Sequence, residues 1–225
     1  ERHIVTVGRD CGRRSFDVSF LLFQLYVIYD ACNRRSEAIK ALRQANEVFW
    51  NTQKDNYIAV TVKVKLGELL LKHIGPAQAF TSFSEAASIM RDMPTLGPLY
   101  WSHVRLKPYY GLLECEHAGL TNINLAQVGA GVTAILLKSW SNVEALDFLN
   151  KIAADVLSKN EFQTAAMLHH EVTRHAKNMY GVRTAEYARA LSSEGFVYFK
   201  WGPRKHSDKC TYLMNQATQI LKDVC

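Results

Sequence analysis

The segment His169–His175 carries the residue types of a zinc-protease motif but not its spacing. In that motif, two histidines stand four residues apart on a helix, so that both face one metal ion. Here His170 and His175 are five residues apart, which turns them by about 140° around a helix. We therefore predict no metal site in this segment. We expect a solvated helix face, on which Glu171 and His175 pair across one turn.

Two other short motifs match reactive sites only in part. Cys115, Glu116 and His117 supply a nucleophile and a base, but neighbouring helical residues point about 100° apart, and no third group orients the base. The run Gly129-Ala130-Gly131 lacks the preceding strand and the third glycine of a dinucleotide-binding turn, and it favours close helix packing. The sequence therefore predicts no catalytic residue, no cofactor and no enzyme activity.

The cysteines are scattered along the chain. They are Cys11, Cys32, Cys115, Cys210 and Cys225. Their odd number and the lack of a C-x-x-C pair indicate reduced thiols rather than disulfides or zinc ligands. We therefore expect an intracellular protein, in the cytoplasm or the nucleus. The longest apolar stretch, 16–29, is interrupted by Asp17 and Gln24 and falls short of the roughly 18 apolar residues of a membrane span, so we predict no membrane partner.

The composition is that of a globular chain with a mildly basic balance. The 225 residues include 27 Lys and Arg against 21 Asp and Glu, for a net charge of +6. A chain of this length can bury a core without disulfides or metal ions. Its 12 Gly and 5 Pro are too few for a collagen-like or low-complexity chain. The charge permits an acidic partner without requiring one.

Basic residues cluster near both ends, and those near the C-terminal end lie beside aromatic residues. The clusters are Arg2, Arg9, Arg13 and Arg14, and Lys200, Arg204, Lys205 and Lys209 beside Tyr198 and Trp201. Basic and aromatic side chains together can bind single-stranded nucleic acid. The other interpretation is a loop and an N-terminal segment that charge keeps soluble.

Most of the chain carries apolar residues at spacings of three, four and seven, which is typical of amphipathic helices. Breaks rich in Gly, Pro and Asn divide it into about ten helices, paired by short loops. The segment Ile58–Leu66 alternates as a strand does, but no second strand is evident beside it, so we predict a helix. Pro108 falls within the fifth helix and either begins it or kinks it.

The helix pairs repeat one pattern of small and apolar residues. After Tyr26 in the first pair and Gly67 in the second, such residues follow at offsets of 3, 12, 16 and 19. The same offsets follow Ala153, where His169 replaces the expected aromatic residue, and they follow Gly195 once three residues are inserted near 203–206. The positions are Tyr29, Ala38, Leu42 and Ala45; Leu70, Ala79, Phe83 and Ala86; Val156, Ala165, His169 and Val172; and Tyr198, Cys210, Met214 and Ala217. The pair at about 99–139 matches poorly.

This pattern resembles the tetratricopeptide (TPR) repeat, in which L-G-x-x-Y on one helix precedes A, F and A on the next. The segment 179–188 resembles the inter-repeat loop of kinesin-light-chain-type TPRs. The resemblance implies an all-α fold, a right-handed superhelix of about five antiparallel helix pairs. We expect a basic N-terminal segment at 1–15 and a repeat domain at 16–225. Because the sequence begins at Glu1, we expect that this domain can belong to a longer chain.

The resemblance also implies a binding face, because the first helices of TPR pairs line a concave surface. Residues on those helices outside the packing positions are Phe20, Phe23, Asp30, Thr61, Glu68, Lys72, Asp147, Asn150, Arg189, Ser192, Phe196 and Lys200. The ligand motifs of known subfamilies are not reproduced. Where kinesin light chains have L-N-N-L-A, this chain has Leu191-Ser192-Ser193-Glu194-Gly195, and the carboxylate clamp of chaperone-binding TPRs is not matched either.

These observations predict a protein–protein interaction module that takes a partner segment in its groove, within a multi-subunit complex. One alternative is a nucleic-acid-binding helical repeat. Another is an accessory helical domain of a larger enzyme.

Overall fold

The computed structural model describes residues 16–52, 57–92, 100–138 and 143–224. In these ranges the backbone forms ten α-helices and no strand, which confirms the predicted all-α class. The helices are α1 (Phe16–Ala31), α2 (Arg35–Thr52), α3 (Tyr57–His73), α4 (Pro76–Asp92), α5 (Tyr100–His117), α6 (Leu125–Lys138), α7 (Val143–Ser158), α8 (Phe162–Tyr180), α9 (Ala185–Trp201) and α10 (Ser207–Val224). The basic segment at 1–15 lies outside the described residues. No helix in the described part is both long and apolar enough to cross a membrane.

The chain divides into two compact units, and within each unit helices pack on their neighbours in sequence. The first unit comprises Glu1–Pro94 and Lys107–Ile123, and the second comprises Thr95–Leu106 and Asn124–Cys225. In the first, α1 packs on α2, α2 on α3 and α3 on α4. In the second, the contacts run in order from α6 to α10, and α6 also touches α8. Packing between sequential helices is the arrangement expected of stacked helix pairs.

The division between the units falls within α5, immediately before Lys107 and Pro108. Pro108 lies inside this helix and does not begin it, so the first of its two predicted placements is wrong. A proline has no N–H to donate to the carbonyl one turn back, and the backbone ladder of α5 is weakened at this point.

The alternating segment Ile58–Leu66 is part of α3 and not a strand, as predicted. Its residues are buried almost all the way round the helix, because α2 and α4 both pack against it. Lys63 is among the buried residues, and its Nζ lies 2.5 Å from Oε2 of Glu85 on α4. A helix covered on two sides needs apolar residues at most positions, and this need produces the strand-like alternation.

The repeated small and apolar positions form the contacts between helices. Phe83 of α4 shows the arrangement most clearly, because its ring packs against two glycines. A Cβ atom on Gly67 of α3 would lie 2.7 Å from Cε1 of Phe83, and one on Gly111 of α5 would overlap the same ring. The large residue of the repeat therefore fills the space between its own pair and the next first helix.

The poorly matching third pair follows the same pattern with a longer turn. Gly111 occupies the place of Gly67, and Val128, Val132 and Ile135 follow it by 17, 21 and 24 residues. These offsets are 12, 16 and 19 with five added to each, and all three residues are buried. The prediction missed this match because it considered no insertion in the turn of this pair.

The turns within four pairs each contain a residue with positive φ. Asn33 (φ 54°), Gly75 (φ 144°), Gly119 (φ 98°) and Asn160 (φ 62°) each follow a first helix with positive φ, a conformation that glycine and asparagine tolerate best. The reversed chain is held by backbone bonds such as the one from the Arg34 N–H to the Tyr29 carbonyl, at 2.8 Å. These residues explain why the predicted breaks at Asn33, Gly75 and Asn160 separate the helices of a pair.

Candidate partner-binding cleft

A cleft of about 220 Å³ lies in the second unit between α7, α8 and α9. Its apolar part consists of Leu146, Val172, Ala176 and Ala190, and its polar part of Asp147, Asn150, Tyr180, Glu186, Arg189 and Ser193. Since α7 and α9 begin successive helix pairs, this α7–α9 cleft lies between two first helices, with α8 contributing the residues between them. That is the kind of position the TPR resemblance implies for a binding groove.

The turn between α8 and α9 sets the place of the polar residues. Gly181 ends α8 with φ 89°, and its N–H donates to the Lys177 carbonyl at 3.0 Å. Thr184 caps α9: its Oγ1 accepts from the Tyr187 N–H at 3.3 Å and donates to the Gly181 carbonyl at 3.1 Å. A capped N-terminus holds the first turn of a helix in place, and that first turn carries Glu186.

Small residues in the apolar part of the cleft bring α8 and α9 together. Ala176 and Ala190 are both buried, and the Thr173 hydroxyl donates to the Ala190 carbonyl at 3.2 Å. This bond satisfies the hydroxyl of a buried threonine and ties α8 to the middle of α9. The cleft is thus built on helices that pack closely, which favours a preformed site.

The charged residues of the α7–α9 cleft are unpaired. Asp147, Glu186 and Arg189 are exposed, and within the described residues none of their side chains makes a hydrogen bond or an ion pair. Tyr180 lies near both carboxylates: burial and then the charges of Asp147 and Glu186 raise the pKa of its phenol. The phenol therefore stays protonated near neutral pH and can donate a hydrogen bond.

The structure brings three of the predicted binding residues, Asp147, Asn150 and Arg189, into the lining of this cleft. Phe196 and Lys200 lie further along α9, at spacings that place them on the same helix face as Arg189. Phe196 and Phe199 are 43% and 51% exposed, with ring centroids 6.3 Å apart. The Lys200 Nζ lies 5.5 Å from the Phe196 centroid. Ser192 is half-buried on α9 and does not line the cleft.

The remaining predicted residues belong to the first unit, where two of them share one charge cluster. Lys65 of α3 pairs with Glu68 at 2.6 Å. Burial raises the pKa of Tyr26, and the charge of Lys65 partly offsets this effect. The charges of Asp30 and Glu68 raise the same pKa further. Phe20 and Lys72 are exposed. Phe23 is half-buried, and the centroid of its ring lies 5.5 Å from that of Tyr26. The Thr61 hydroxyl donates to the Tyr57 carbonyl at 3.1 Å. Glu68 thus already has an intramolecular partner.

The segment His169–His175 differs from the predicted solvated face. His169 and His175 are only 4% and 6% exposed, because α8 packs between α7 and α9. The nearest carboxylate partner of His175, Glu171, lies at 3.8 Å and bonds mainly to Arg174. In the described part of the chain, no three His, Cys, Asp or Glu residues converge as metal ligands.

The C-terminal basic and aromatic cluster uses its rings for internal contacts. Lys209 donates to the Tyr198 hydroxyl at 2.6 Å and lies 4.3 Å from the centroid of that ring. The Trp201 and His206 rings stack at 4.6 Å. One face of each aromatic residue is therefore covered, which leaves less ring surface for a nucleic-acid base. The arginines of the other cluster lie outside the described residues.

Tyr180, Glu186 and Ser193 line the cleft but were not predicted. Tyr180 and Glu186 fall in the segment 179–188, whose resemblance to an inter-repeat loop was the available signal. Ser193 follows Ser192, and the sequence alone pointed to Ser192, which stays a prediction.

No protein-family model matches the chain, and no curated protein matches it. Among solved structures, the crystal structure of MamA protein is similar at a TM-score of 0.48 and 13% identity, over 91% of this chain and 92% of that one. A Podosopora anserina putative kinesin light chain with nearly identical TPR-like repeats is similar at 0.48 and 15% identity, over 90% and 94%. A second crystal structure of those repeats, carrying a substitution, is similar at 0.47 and 15% identity, over 88% and 92%. In the chain itself, helices pack on their neighbours in sequence, and most of the repeated positions are buried.

Proposed function

We propose that the chain is a protein-interaction module that binds an extended segment of a partner protein in the α7–α9 cleft. The observation that carries the proposal is a set of three charged side chains, Asp147, Glu186 and Arg189, which line one cleft without intramolecular partners among the described residues. Binding sites commonly combine an apolar base with a few convergent polar groups. The cleft has both, since buried Ala176 and Ala190 line it together with these charged residues.

The bound segment would continue along α9 to its exposed aromatic residues. Phe196 and Phe199 present two neighbouring rings at the surface. Aromatic residues bury a large area with little loss of side-chain entropy, and they often supply most of the energy of an interface. We propose Phe196 as the apolar anchor and Asn150, Arg189 and Lys200 as polar groups that fix the register. Ser192, Phe20, Phe23, Asp30, Glu68 and Lys72 stay candidates for further contacts.

A protein partner fits the cleft better than a nucleic acid does. Two carboxylates against one guanidinium give the charged lining a net charge of −1, which repels phosphates. We further propose that the chain works in an intracellular complex and catalyses no reaction itself. Free thiols at Cys32, Cys115 and Cys210 support the reducing compartment.

The test is a selection of peptides from a random display library with the purified chain as the target. Peptides of about 12 residues span about 40 Å when extended, which exceeds the length of α9. Asn150→Trp places a large side chain at the cleft, and Asn215→Trp makes the same change at an exposed site on α10. Enriched peptides should bind the wild type and Asn215→Trp alike and lose about tenfold, near 1.4 kcal/mol, with Asn150→Trp.

A second pair of variants tests the anchor. Phe196→Ala should weaken the same peptides by about tenfold, whereas Tyr212→Ala, at an exposed aromatic residue on α10, should not. If no peptide is enriched, or if Asn150→Trp binds them as well as the wild type does, the cleft is not a peptide site. Steeply salt-dependent binding of a single-stranded oligonucleotide that Asn150→Trp leaves intact would favour the nucleic-acid alternative instead.

A further inference from the structure

Two carboxylates from different helices act on one phenol in the α7–α9 cleft. Asp147 belongs to α7 and Glu186 to the first turn of α9. Burial raises the pKa of the Tyr180 hydroxyl at the end of α8, and the charges of these two carboxylates raise it further. All three residues line the cleft. The lining therefore combines two carboxylates with an aromatic ring.

The cation one turn further along α9 forms no ion pair with Glu186 within the described residues. Other oppositely charged residues three apart in sequence do form ion pairs, namely Arg34 with Glu37 at 2.8 Å, Lys65 with Glu68 at 2.6 Å, and Glu171 with Arg174. Glu186 and Arg189 have the same spacing, yet no such pair forms between them within the described residues. Both side chains therefore remain available to a ligand.

The chemistry of these two carboxylates favours an organic cation over a metal ion. A calcium ion takes six to eight oxygen ligands, and no group of three potential metal ligands converges in the described part of the chain. A lysine or arginine side chain needs less: two carboxylates for its charged group, and apolar or aromatic surface for its methylene stem. Tyr180 and Leu146 line the cleft and supply that surface, and a phenol also attracts a cation over its face.

We propose that the α7–α9 cleft selects partner segments that carry a lysine or arginine, whose cationic group lies between Asp147 and Glu186. This inference rests on the proposed peptide-binding function and names the residue that the site recognises. Arg189 then donates to a main-chain carbonyl of the same segment, since a guanidinium is a donor that needs an acceptor. The segment continues towards Phe196 with an apolar side chain.

The test uses the peptides enriched from the random library, in a double-mutant cycle. A lysine or arginine should recur at one position of these peptides. Replacing this residue of the peptide with glutamine should weaken its binding to the wild-type protein by about tenfold. The double variant Asp147→Asn with Glu186→Gln should weaken binding of the unchanged peptide by a similar factor. The two changes together should cost little more than either one, because they remove the same interaction. Glu161→Gln, at an exposed carboxylate outside the cleft, is the control and should leave affinity unchanged.

The failures of the two proposals differ. Peptide binding that Asn150→Trp abolishes supports the groove function. If no basic residue recurs in those peptides, or if its loss is additive with the loss of the carboxylates, the cationic selectivity is wrong and the groove function stands. If no peptide depends on Asn150, the groove function itself is wrong. If the same cycle with Glu161→Gln in place of the cleft carboxylates shows an equally large coupling to the basic residue of the peptide, this inference is also wrong.

Discussion

The Nδ1 atom of His170 lies 3.1 Å from Oε1 of Glu194, a glutamate that is only 2% exposed between α8 and α9. A buried carboxylate is costly unless it is hydrogen-bonded and paired. The His170–Glu194 pair joins the two helices that carry most of the α7–α9 cleft.

Removing His170 should therefore destabilise the chain although its ring is largely exposed. We expect His170→Ala to lower the free energy of unfolding by about 1–3 kcal/mol, because Glu194 loses its hydrogen-bond partner. Urea denaturation followed by circular dichroism at 222 nm measures the change. Met167→Ala, at an exposed residue of the same helix, is the control and should cost under about 0.5 kcal/mol.

The double variant separates a lost pair from a lost surface contact. Glu194→Leu removes the buried charge, so adding His170→Ala to it should cost almost nothing. If His170→Ala costs the same with leucine as with glutamate at position 194, the two residues do not stabilise α8 and α9 as a pair.

Stability should fall as the pH falls below about 6.5. Burial lowers the pKa of His169, against a smaller opposing effect of Glu194. Burial and the charge of Arg174 lower the pKa of His175, and the charge of Glu171 partly opposes them. Both histidines therefore bind protons more readily in the unfolded chain, where the pKa of histidine is near 6.5. The free energy of unfolding consequently rises with pH from the lowered pKa of the folded chain up to about 6.5.

His169→Phe should remove the part of this dependence that comes from His169 and stabilise the chain. The Nδ1 of His169 is buried without a hydrogen-bond partner, and an unsatisfied buried polar atom costs about 1–3 kcal/mol. Phenylalanine is also the residue that the repeat pattern expects at this position. The gain over the wild type should grow from pH 7 to pH 5 in thermal melts. A gain that shrinks on acidification would mean that His169 is protonated in the folded state.

Alanine at the repeat glycines should destabilise the chain in order of the space available. A Cβ atom overlaps the Phe83 ring at Gly111, lies 2.7 Å from it at Gly67, and lies 3.3 Å from Leu213 and Met214 at Gly195. We expect Gly111→Ala and Gly67→Ala to cost about 1–3 kcal/mol. Gly195→Ala should be nearly neutral, because alanine gains about 1 kcal/mol of helix propensity.

A smaller ring neighbour should compensate for the added methyl group. Gly67→Ala with Phe83→Leu should be more stable than the sum of the two single changes predicts, as read from the midpoints of urea unfolding. Additive losses would show that Gly67 is needed for a reason other than its contact with Phe83.

Cys115 should react only when the chain unfolds. Burial and then the charge of Glu114 raise the pKa of its thiol to about 11, so only about one part in 1,000 is thiolate at pH 8. Mass spectrometry after iodoacetamide treatment should find Cys32, which is exposed, modified well before Cys115. Urea should bring the two rates together. Equal rates in buffer would contradict the burial of Cys115.

The helical repeat was predictable because it depends on local rules. Periodicity identified the helices, and the breaks at Asn33, Gly75 and Asn160 identified the turns, since these residue types tolerate a positive φ. The alternation at Ile58–Leu66 was interpreted correctly because a lone strand has no hydrogen-bond partners. The third pair was missed because five extra residues in its turn hide an otherwise matching spacing.

The candidate site was predicted only in part, since side chains from three helices form it. A map of first-helix residues included Asp147, Asn150 and Arg189, but not Tyr180 or Glu186. The resemblance to the repeat pattern was enough to place Asp147, Asn150 and Arg189 on a groove face. No sequence pattern states that a residue at the end of α8 and one at the start of α9 reach the same cleft.

The sequence by itself therefore determined the helix pairs, their order and their packing positions, because each follows from the spacing of residues along one or two helices. Only the tertiary structure decided which charges remain unpaired and which become buried. His169, His175 and Glu194 look like surface residues in the sequence, yet α8 is covered from both sides. Glu186 and Arg189 look like an ordinary helix-surface pair, yet both are left to the cleft. Burial and pairing depend on neighbours that are distant along the chain, and local patterns do not carry that information.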